Sequence, residues 1–453
     1  MRCGSAWLLS LAGAAALSNA LYLAKRDNPA VLALPFVRDQ DSSRKISKRS
    51  KTVGVASGNN HDDYYLESYD YAVNLTFGTP PQHFKVYLET YGNGCWLDGV
   101  NDEFCGSYHN SSYCGGNGGY NQSASRTAKE LHEKFVYDSL GEIDRGDYVT
   151  DTLMIGGATV NDMKMGITTG LPSSINTMKL AYGNESSTSL TQALADAGAI
   201  NSPAFSLWAG NVLFGGVDKS KYNGTLQTLP IIDNSNFSKA FRVDMDGMFI
   251  NGSSLASDTF PIDAVFDNSF SGTYVPKSVA DAILPHLGNV SVPNSWGAVN
   301  FSCSSVSDDS TIGFKFGDLD FEFSLKKFIS YEPGMGIPYD DPLTRLADFG
   351  DTCWLSIAEN KPEHKAISQH GSIILGTDFM GLIYAVFDLE NDEVSLAKRN
   401  WDSSSTDIVE ITSGKDGVPG AKKSAATNTH IGADLGMTAL IAASMLIMIF
   451  WCA

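Results

Sequence analysis

Short hydrophobic segments alternate with polar turns through residues 70–400 of this 453-residue chain. Tyr71–Phe77 alternates in part between apolar and polar side chains, as a half-buried strand does. Similar segments follow, separated by turns rich in Gly, Asn, Asp and Ser. One helical pattern falls at Ser189–Ala199, where apolar residues recur at helical spacing. The pattern therefore predicts an all-β fold, divided near the polar stretch Asp233–Lys239.

Two of the hydrophobic segments end in an acidic residue. Val86–Leu88 precedes Glu89, and Ala264–Phe266 precedes Asp267, 178 residues after the first acid. In both copies an aromatic–apolar pair begins seven residues after the acid. A charge at the end of a buried strand contributes little to a purely structural protein. The repeat therefore predicts a duplicated lobe, with one carboxylate from each half.

Further motifs surround the two acids. Residues 76–82 are Thr-Phe-Gly-Thr-Pro-Pro-Gln, residues 213–218 are Leu-Phe-Gly-Gly-Val-Asp, and residues 373–376 are Ile-Ile-Leu-Gly. With these motifs the sequence resembles the pepsin-like aspartic proteases, and within that family the fungal yapsin-like, GPI-anchored surface proteases. The resemblance implies a bilobal pepsin-like fold, in which two pseudo-twofold-related β lobes, 70–235 and 240–400, enclose a central cleft.

The resemblance also implies roles for individual residues. Glu89 and Asp267 take the positions of the two catalytic aspartates. Thr90, Asn268 and Ser269 take the positions of the residues that support them. The cleft would bind a polypeptide substrate or ligand, and the protein would act as a monomer without a cofactor. No cysteine pair has the spacing of a zinc site, so no metal is expected.

The two active-site triplets depart from the Asp-Thr/Ser-Gly motif of the resembled family. Aspartic proteolysis needs two carboxylates that share a proton and hold a water between them. Glu89 keeps the charge but adds a methylene, and misplacement by about 1 Å can lower the rate about 100-fold. Tyr91 stands at the motif's glycine, where the backbone should be bare. Asn268 replaces the second hydroxyl residue.

Two further positions of the first half depart from the family pattern. Tyr137 matches the flap tyrosine, with an aromatic core residue as the alternative, and Asp138 follows it where the family has glycine. Lys179 stands at a position where the family has glycine, whereas the matching Gly376 of the second half is retained. These changes predict impaired or absent proteolytic activity. The alternatives are an active Glu/Asp dyad that cleaves extracellular or cell-wall proteins, a peptide-binding module without turnover, and a structural wall glycoprotein.

The N-terminal residues carry processing signals. Residues 1–20 combine a basic residue, an apolar run and a small-residue end, which predicts a secretory signal peptide. Residues 21–49 are basic and end in Lys48-Arg49. In a secreted precursor this segment resembles a propeptide that a kexin-type convertase removes, and a basic linker is the alternative interpretation.

The C-terminal residues predict a surface anchor. Residues 402–434 are rich in Ser, Thr, Gly, Ala and Lys, which indicates a flexible stalk. Ser424 begins a small-residue segment, a polar spacer follows, and residues 435–453 form an uncharged apolar tail. This order predicts a GPI anchor at Ser424 on the plasma membrane, with the protein at the cell surface or in the cell wall. A spanning tail helix is the alternative.

Charge and sequons agree with an extracellular protein. The formal net charge of −19 argues against nucleic acid as a partner, because nucleic-acid recognition requires basic patches. In a secreted chain, Asn-X-Ser/Thr sequons are candidate glycosylation sites. They lie at Asn74, Asn110, Asn121, Asn184, Asn223, Asn236, Asn251, Asn289 and Asn300.

The predicted mature region contains five cysteines. Cys105 and Cys114 are close enough in sequence for a loop disulfide, and Cys303 and Cys353 match the second-lobe disulfide of the resembled family. Cys95 is left over, which leaves a free thiol or a different pairing open. Its position before a tryptophan, where the family usually has an apolar residue, favours a buried and inert thiol.

Overall fold

The computed structural model describes residues 30–35, 71–92, 94–100, 119–139, 142–170, 176–183, 187–208, 211–233, 239–294, 297–330, 351–361 and 373–424. Within these ranges the chain is mainly β, which confirms the fold class that the hydrophobic pattern predicts. No helix among them is both long and apolar enough to span a bilayer. The predicted signal peptide and the apolar tail lie outside the described residues.

Most strands are short, as the spacing of the turns predicts. Strand β1, Leu32–Pro35, lies in the predicted propeptide. The first half contains β2 Ala72–Phe77, β3 Gln82–Glu89, β4 Cys95–Asp98, β5 Lys129–Ser139, β6 Glu142–Ile155, β7 Ala158–Gly170, β8 Thr177–Lys179, β9 Ala204–Trp208, β10 Asn211–Phe214, β11 Gly216–Asp218 and β12 Tyr222–Pro230. Two of these are longer, since β6 has 14 residues and β7 has 13. The second half contains β13 Arg242–Met245, β14 Gly247–Ile250, β15 Ser253–Leu255, β16 Ile262–Phe266, β17 Thr273–Val275, β18 Asn300–Ser302, β19 Thr311–Phe316, β20 Leu319–Ser324, β21 Ile329–Ser330, β22 Thr352–Leu355, β23 Ile357–Glu359, β24 Ile373–Leu375, β25 Ile383–Asp388, β26 Glu393–Arg399, β27 Ile408–Glu410 and β28 Ala421–Lys423.

Helices are few and short in the described residues. They are α1 Leu190–Asp196, α2 Lys277–Ile283 and α3 Thr377–Met380, with 3-10 turns at Gln122–Ala124, Lys219–Lys221, Ser257–Thr259, Leu284–His286, Cys303–Ser305 and Leu325–Phe328. Helix α1 lies within the segment for which the sequence predicts helical spacing. It begins where the hydroxyl of Ser189 accepts a hydrogen bond from the amide of Gln192, an N-cap interaction.

Each half builds its own sheets. The first half forms a sheet of order β2-β3-β8-β4-β7-β6-β5. The second half forms sheets of order β13-β16-β24-β17-β23, β15-β14-β19-β20 and β18-β22-β21. A further sheet, of order β1-β10-β9-β25-β26-β12-β28, takes strands from both halves. This shared sheet joins the lobes at their base.

Aromatic side chains fill the core between the shared sheet and the second lobe. The Phe387 ring stacks on Phe205 at a centroid distance of 4.9 Å and lies 4.5 Å from the ring of Phe241. Its edge meets Phe266 at 5.6 Å. Because Phe266 ends β16, this packing fixes the strand that carries Asp267.

The structure corrects the predicted stalk 402–434 over residues 402–424, and residues 425–434 lie outside the described residues. Strand β27 pairs with β11, and β28 runs parallel to β12. Ile411 is fully buried and Val418 is 6% exposed, so apolar side chains hold this segment against the shared sheet. Composition alone suggested flexibility because Ser, Thr and Gly dominate, but a few spaced apolar residues suffice to dock the chain. We call residues 402–424 the C-terminal strap.

The structure repeats the same three-strand arrangement in both halves. In the first, β8 lies parallel to β3 and antiparallel to β4. In the second, β24 lies parallel to β16 and antiparallel to β17. Each acid therefore stands where one outer strand of the three ends. A turn leads from the acid to the other outer strand. The internal repeat predicted from the sequence is present in the topology.

Candidate active site

The two acid-bearing turns meet through direct hydrogen bonds. The Thr90 amide donates to Asn268 Oδ1 at 2.8 Å, and the Asn268 amide donates to Thr90 Oγ1 at 3.1 Å. Thr90 Oγ1 also donates to the carbonyl of Phe266 at 3.0 Å. Both side chains are buried. These bonds hold Glu89 and Asp267, the residues next to Thr90 and Asn268, on either side of one contact between the lobes.

Asn268 keeps this contact although it lacks a hydroxyl. Its Oδ1 accepts from Thr90, while its Nδ2 donates to the carbonyl of Leu88 at 2.7 Å. A carboxamide carries an acceptor and donors on one planar group, so it can serve two backbone groups at once. The sequence indicates loss of a hydroxyl at this position, and the structure shows that the contact between the turns survives that loss.

Asp267 is fully buried at the start of the second turn. Its Oδ1 accepts from the Ser269 amide at 2.9 Å and from the Ser269 hydroxyl at 2.6 Å. The Asp267 amide donates to the carbonyl of Leu375, which ties the turn to β24. Ser269, at the third position of the triplet, thus orients one carboxylate oxygen with two donors.

Glu89 has a different environment from Asp267. Its Oε2 accepts from the ammonium of Lys179, and the two residues are register partners in β3 and β8. The Lys179 side chain is 3% exposed and that of Glu89 is 20% exposed. The ammonium also lies 5.2 Å from the centroid of the Trp96 ring, within cation–π range. The sequence places Lys179 at an altered position but gives no sign that it pairs with Glu89.

Tyr91 packs against the second lobe. It lies with Phe270 and Tyr274 on a small apolar cluster formed by Ala240, Val265 and Ile374. Val265 lies in β16, the strand that ends at Phe266 directly before Asp267. Tyr91 therefore covers apolar surface on the strand that leads to the second carboxylate.

The predicted flap is a hairpin of β5 and β6, in which Tyr137 is the register partner of Asp144 and Asp138 that of Ile143. Their side chains lie outside the described residues. The ring of Phe135 in this hairpin lies 6.1 Å from that of Trp96, which follows the first turn in β4. This contact links the hairpin to the first turn.

A buried carboxylate that the sequence analysis missed lies behind the second turn. Asp378, in α3, accepts from the Thr273 amide at 3.0 Å, from the Thr273 hydroxyl at 2.7 Å and from the Ser356 hydroxyl at 2.8 Å. Loss of contact with water raises the pKa of Asp378 to about 6 and outweighs these donors. Its position two residues after the retained Gly376 was the available signal. Asp378 joins α3 to the beginning of β17.

The cysteines follow the predictions where the structure describes them. The Cys303–Cys353 disulfide is confirmed. Cys95 is a free, buried thiol, and burial raises its pKa to about 11. Cys105 and Cys114 lie outside the described residues.

Some of the predicted glycosylation and anchor sites lie within the described residues and others do not. Asn74, Asn121, Asn223, Asn251 and Asn289 are exposed, Asn300 is partly exposed, and Asn110, Asn184 and Asn236 lie outside the described residues. Ser424 is the last described residue, and its amide donates to the carbonyl of Thr228 at 2.9 Å. The described part of the chain holds no cluster of three or more His, Cys, Asp or Glu side chains suited to a metal.

Comparison with known proteins agrees with this geometry. A family model described as eukaryotic aspartyl protease matches residues 70–399. "Probable aspartic-type endopeptidase opsB" of Aspergillus oryzae is 29% identical over 458 aligned positions, which cover 94% of this chain and 88% of the relative. "Aspartic proteinase yapsin-3" of Saccharomyces cerevisiae is 25% identical, over 87% of this chain and 77% of the relative. "Secreted aspartic protease 8" of Candida albicans is 26% identical, over 75% and 78%. The resemblance found in the motifs is confirmed.

Proposed function

Because the chain belongs to the eukaryotic aspartyl protease family, we propose that it is a secreted, surface-anchored homologue of pepsin-like endopeptidases with impaired or no proteolytic activity. Glu89 and Asp267 take the places of the catalytic pair, and a polypeptide occupies the cleft between the lobes. The hydrogen bonds between Thr90 and Asn268 support retention of that cleft.

The observation that carries the loss of activity is the position of Tyr91. Its ring packs on the cluster that contains Val265, in the strand that leads to Asp267. A pair of carboxylates that share a proton must also hold a water between them. A phenol ring at the third position of the triplet takes up space on the side of Asp267 where glycine would leave the backbone bare. The catalytic water therefore loses room next to the carboxylate that should activate it.

Sequence signals support the proposed location. The secretory signal at residues 1–20 and the small-residue segment at Ser424 predict export and a GPI anchor. Relatives named yapsin-3 and secreted aspartic protease 8 agree with a secreted or surface protein. The strap brings Ser424 to the edge of the shared sheet, so an anchor there would begin directly at the folded body.

Binding of a pepstatin-type inhibitor tests whether the ring of Tyr91 obstructs the site. We expect Tyr91→Gly to raise the affinity of the purified ectodomain for this inhibitor at least tenfold, on the order of 1.4 kcal/mol. Tyr91→Phe keeps the ring and should bind as weakly as the unmodified protein. If the unmodified protein already binds as tightly as Tyr91→Gly, Tyr91 does not obstruct the site, and an active Glu89/Asp267 dyad becomes the better proposal.

A further inference from the structure

The second lobe shows what normally stands beside a catalytic carboxylate in this arrangement. Gly376 directly follows β24, one position after the register pair of Phe266 and Leu375. A Cβ at Gly376 would lie 2.2 Å from the carbonyl oxygen of Gly272 and 2.6 Å from that of Phe270. No side chain fits there, so the position that corresponds to Lys179 is bare backbone in the second lobe.

The first lobe holds a lysine at the equivalent point. Lys179 is the register partner of Glu89. Gly376 takes the corresponding position beside Asp267, one residue after the pair of Phe266 and Leu375. The Lys179 side chain lies beneath the first turn. A Cβ placed on Gly92 would lie 3.5 Å from both Lys179 Cε and Lys179 Nζ. Gly92 has a φ of +84° and carries no side chain, which leaves the lysine room. The first turn thus encloses a cation.

A buried ammonium requires a counter-charge. Removing it from water is unfavourable unless it is paired and hydrogen-bonded. Lys179 is 3% exposed, and its ammonium pairs with the Glu89 carboxylate. Glu89 Oε2 therefore accepts a strong, charge-assisted hydrogen bond within the first lobe.

We propose that Lys179 is a positioning residue that binds Glu89 in an internal ion pair and so withdraws it from the pair with Asp267. The ammonium holds Glu89 Oε2 toward β8 and competes there with a water or a proton shared across the lobes. The cation, more than the additional methylene of Glu89, then accounts for the loss of proton transfer. This inference rests on the proposed impairment of proteolysis and assigns its cause.

The experiment uses a background that keeps Glu89 and removes the ring of Tyr91, Tyr91→Gly. Into this background Lys179→Met removes the charge and keeps the length of the side chain. Positioned acid–base groups contribute about 100-fold or more to rates, so we expect kcat/KM for a mixed peptide library to rise at least tenfold. Lys179→Arg keeps the cation and should keep the activity low.

Lys164 provides the matched control. It lies in β7 and pairs with Glu133, and its ammonium lies 4.5 Å from the centroid of the Tyr148 ring. Lys164→Met therefore loses an ion pair and a ring contact of the same kind, at a more exposed position. It should leave kcat/KM of the background unchanged.

A second readout covers the case in which no variant cleaves peptides. The affinity for the pepstatin-type inhibitor is measured by calorimetry. Relative to the background variant, it should rise at least tenfold with Lys179→Met and not with Lys179→Arg or Lys164→Met. The inference is overturned if Lys179→Met folds and both activity and affinity equal those of Lys179→Arg. Efficient cleavage by the unmodified protein would instead refute the proposed impairment, so the two failures are distinct.

Discussion

At the scale of single residues, the site combines a retained contact with a changed chemistry. Asn268 serves two backbone groups of the first turn, whereas Glu89 binds Lys179 and Tyr91 packs beside Asp267. The contact between the turns depends on a side chain with both donor and acceptor atoms. The acid–base function depends on carboxylate oxygens that are not otherwise engaged. The contact between the turns can therefore persist when the acid–base function is lost.

The importance of Asn268 can be tested through stability. Asn268→Ala leaves the Thr90 amide and the Leu88 carbonyl without this buried partner, so we expect a loss of about 2–4 kcal/mol of unfolding free energy. Asn268→Thr keeps one acceptor and should lose less. Chemical denaturation measures both, with Ser254→Ala on the exposed edge of β15 as control. Equal stability of Asn268→Ala and the control would show that the contact between the turns contributes nothing.

At the scale of elements, a buried acid joins α3 to β17 behind the second turn. Asp378 accepts from Thr273 and Ser356, yet burial raises its pKa to about 6 from an ordinary value near 3.8. The folded protein therefore binds a proton at this site more tightly than the unfolded chain. Stability from this group is complete below about pH 4 and decreases as the pH rises through 6.

Asp378→Asn should remove that pH dependence. Between pH 4 and pH 6.5 we expect the unmodified ectodomain to lose up to about 3 kcal/mol more unfolding free energy than the variant, from a shift of about two pKa units. Denaturation at both pH values gives the difference, and subtraction cancels the contributions of other acids. The exposed pair of Asp281 with Lys277 makes Asp281→Asn the control. A variant that keeps the full pH dependence would exclude Asp378 as its source.

At the scale of the whole molecule, three features join the two lobes: the contact between the turns, the shared sheet, and the C-terminal strap. The strap crosses from the end of the second lobe to β11 and β12 of the first half. Lys221 Nζ donates to the carbonyls of Ser403 at 3.1 Å and Ser405 at 2.7 Å, which fixes the start of the strap. The strap is therefore part of the folded body.

Truncation tests this role. A chain ending at residue 401 exposes the surface that Ile411 and Val418 cover, and burial of such side chains contributes about 1.5–3 kcal/mol each. We expect its melting temperature to fall by several degrees relative to a chain ending at residue 424. Equal melting temperatures would restore the interpretation of residues 402–424 as a stalk.

The sequence predicts the fold and the place of the site better than its chemistry. Periodicity and the internal repeat are local signals, so the strands, the lobes and the positions of Glu89 and Asp267 follow from them. The pairing of Lys179 with Glu89 depends on strand register, which joins residues 90 positions apart. The two-sided role of Asn268 depends on how the lobes approach each other. Such contacts between distant segments leave no periodic trace in the sequence.

Cleavage of a mixed peptide library by the purified, propeptide-free ectodomain shows whether the Glu89/Asp267 pair hydrolyses peptides. The assay runs from about pH 3 to pH 7, a range that covers carboxylate titration. We predict that the unmodified protein releases no more product at any pH than its Asp267→Asn variant. Robust cleavage by the unmodified protein, abolished by Asp267→Asn, would contradict the account and establish an active Glu89/Asp267 pair.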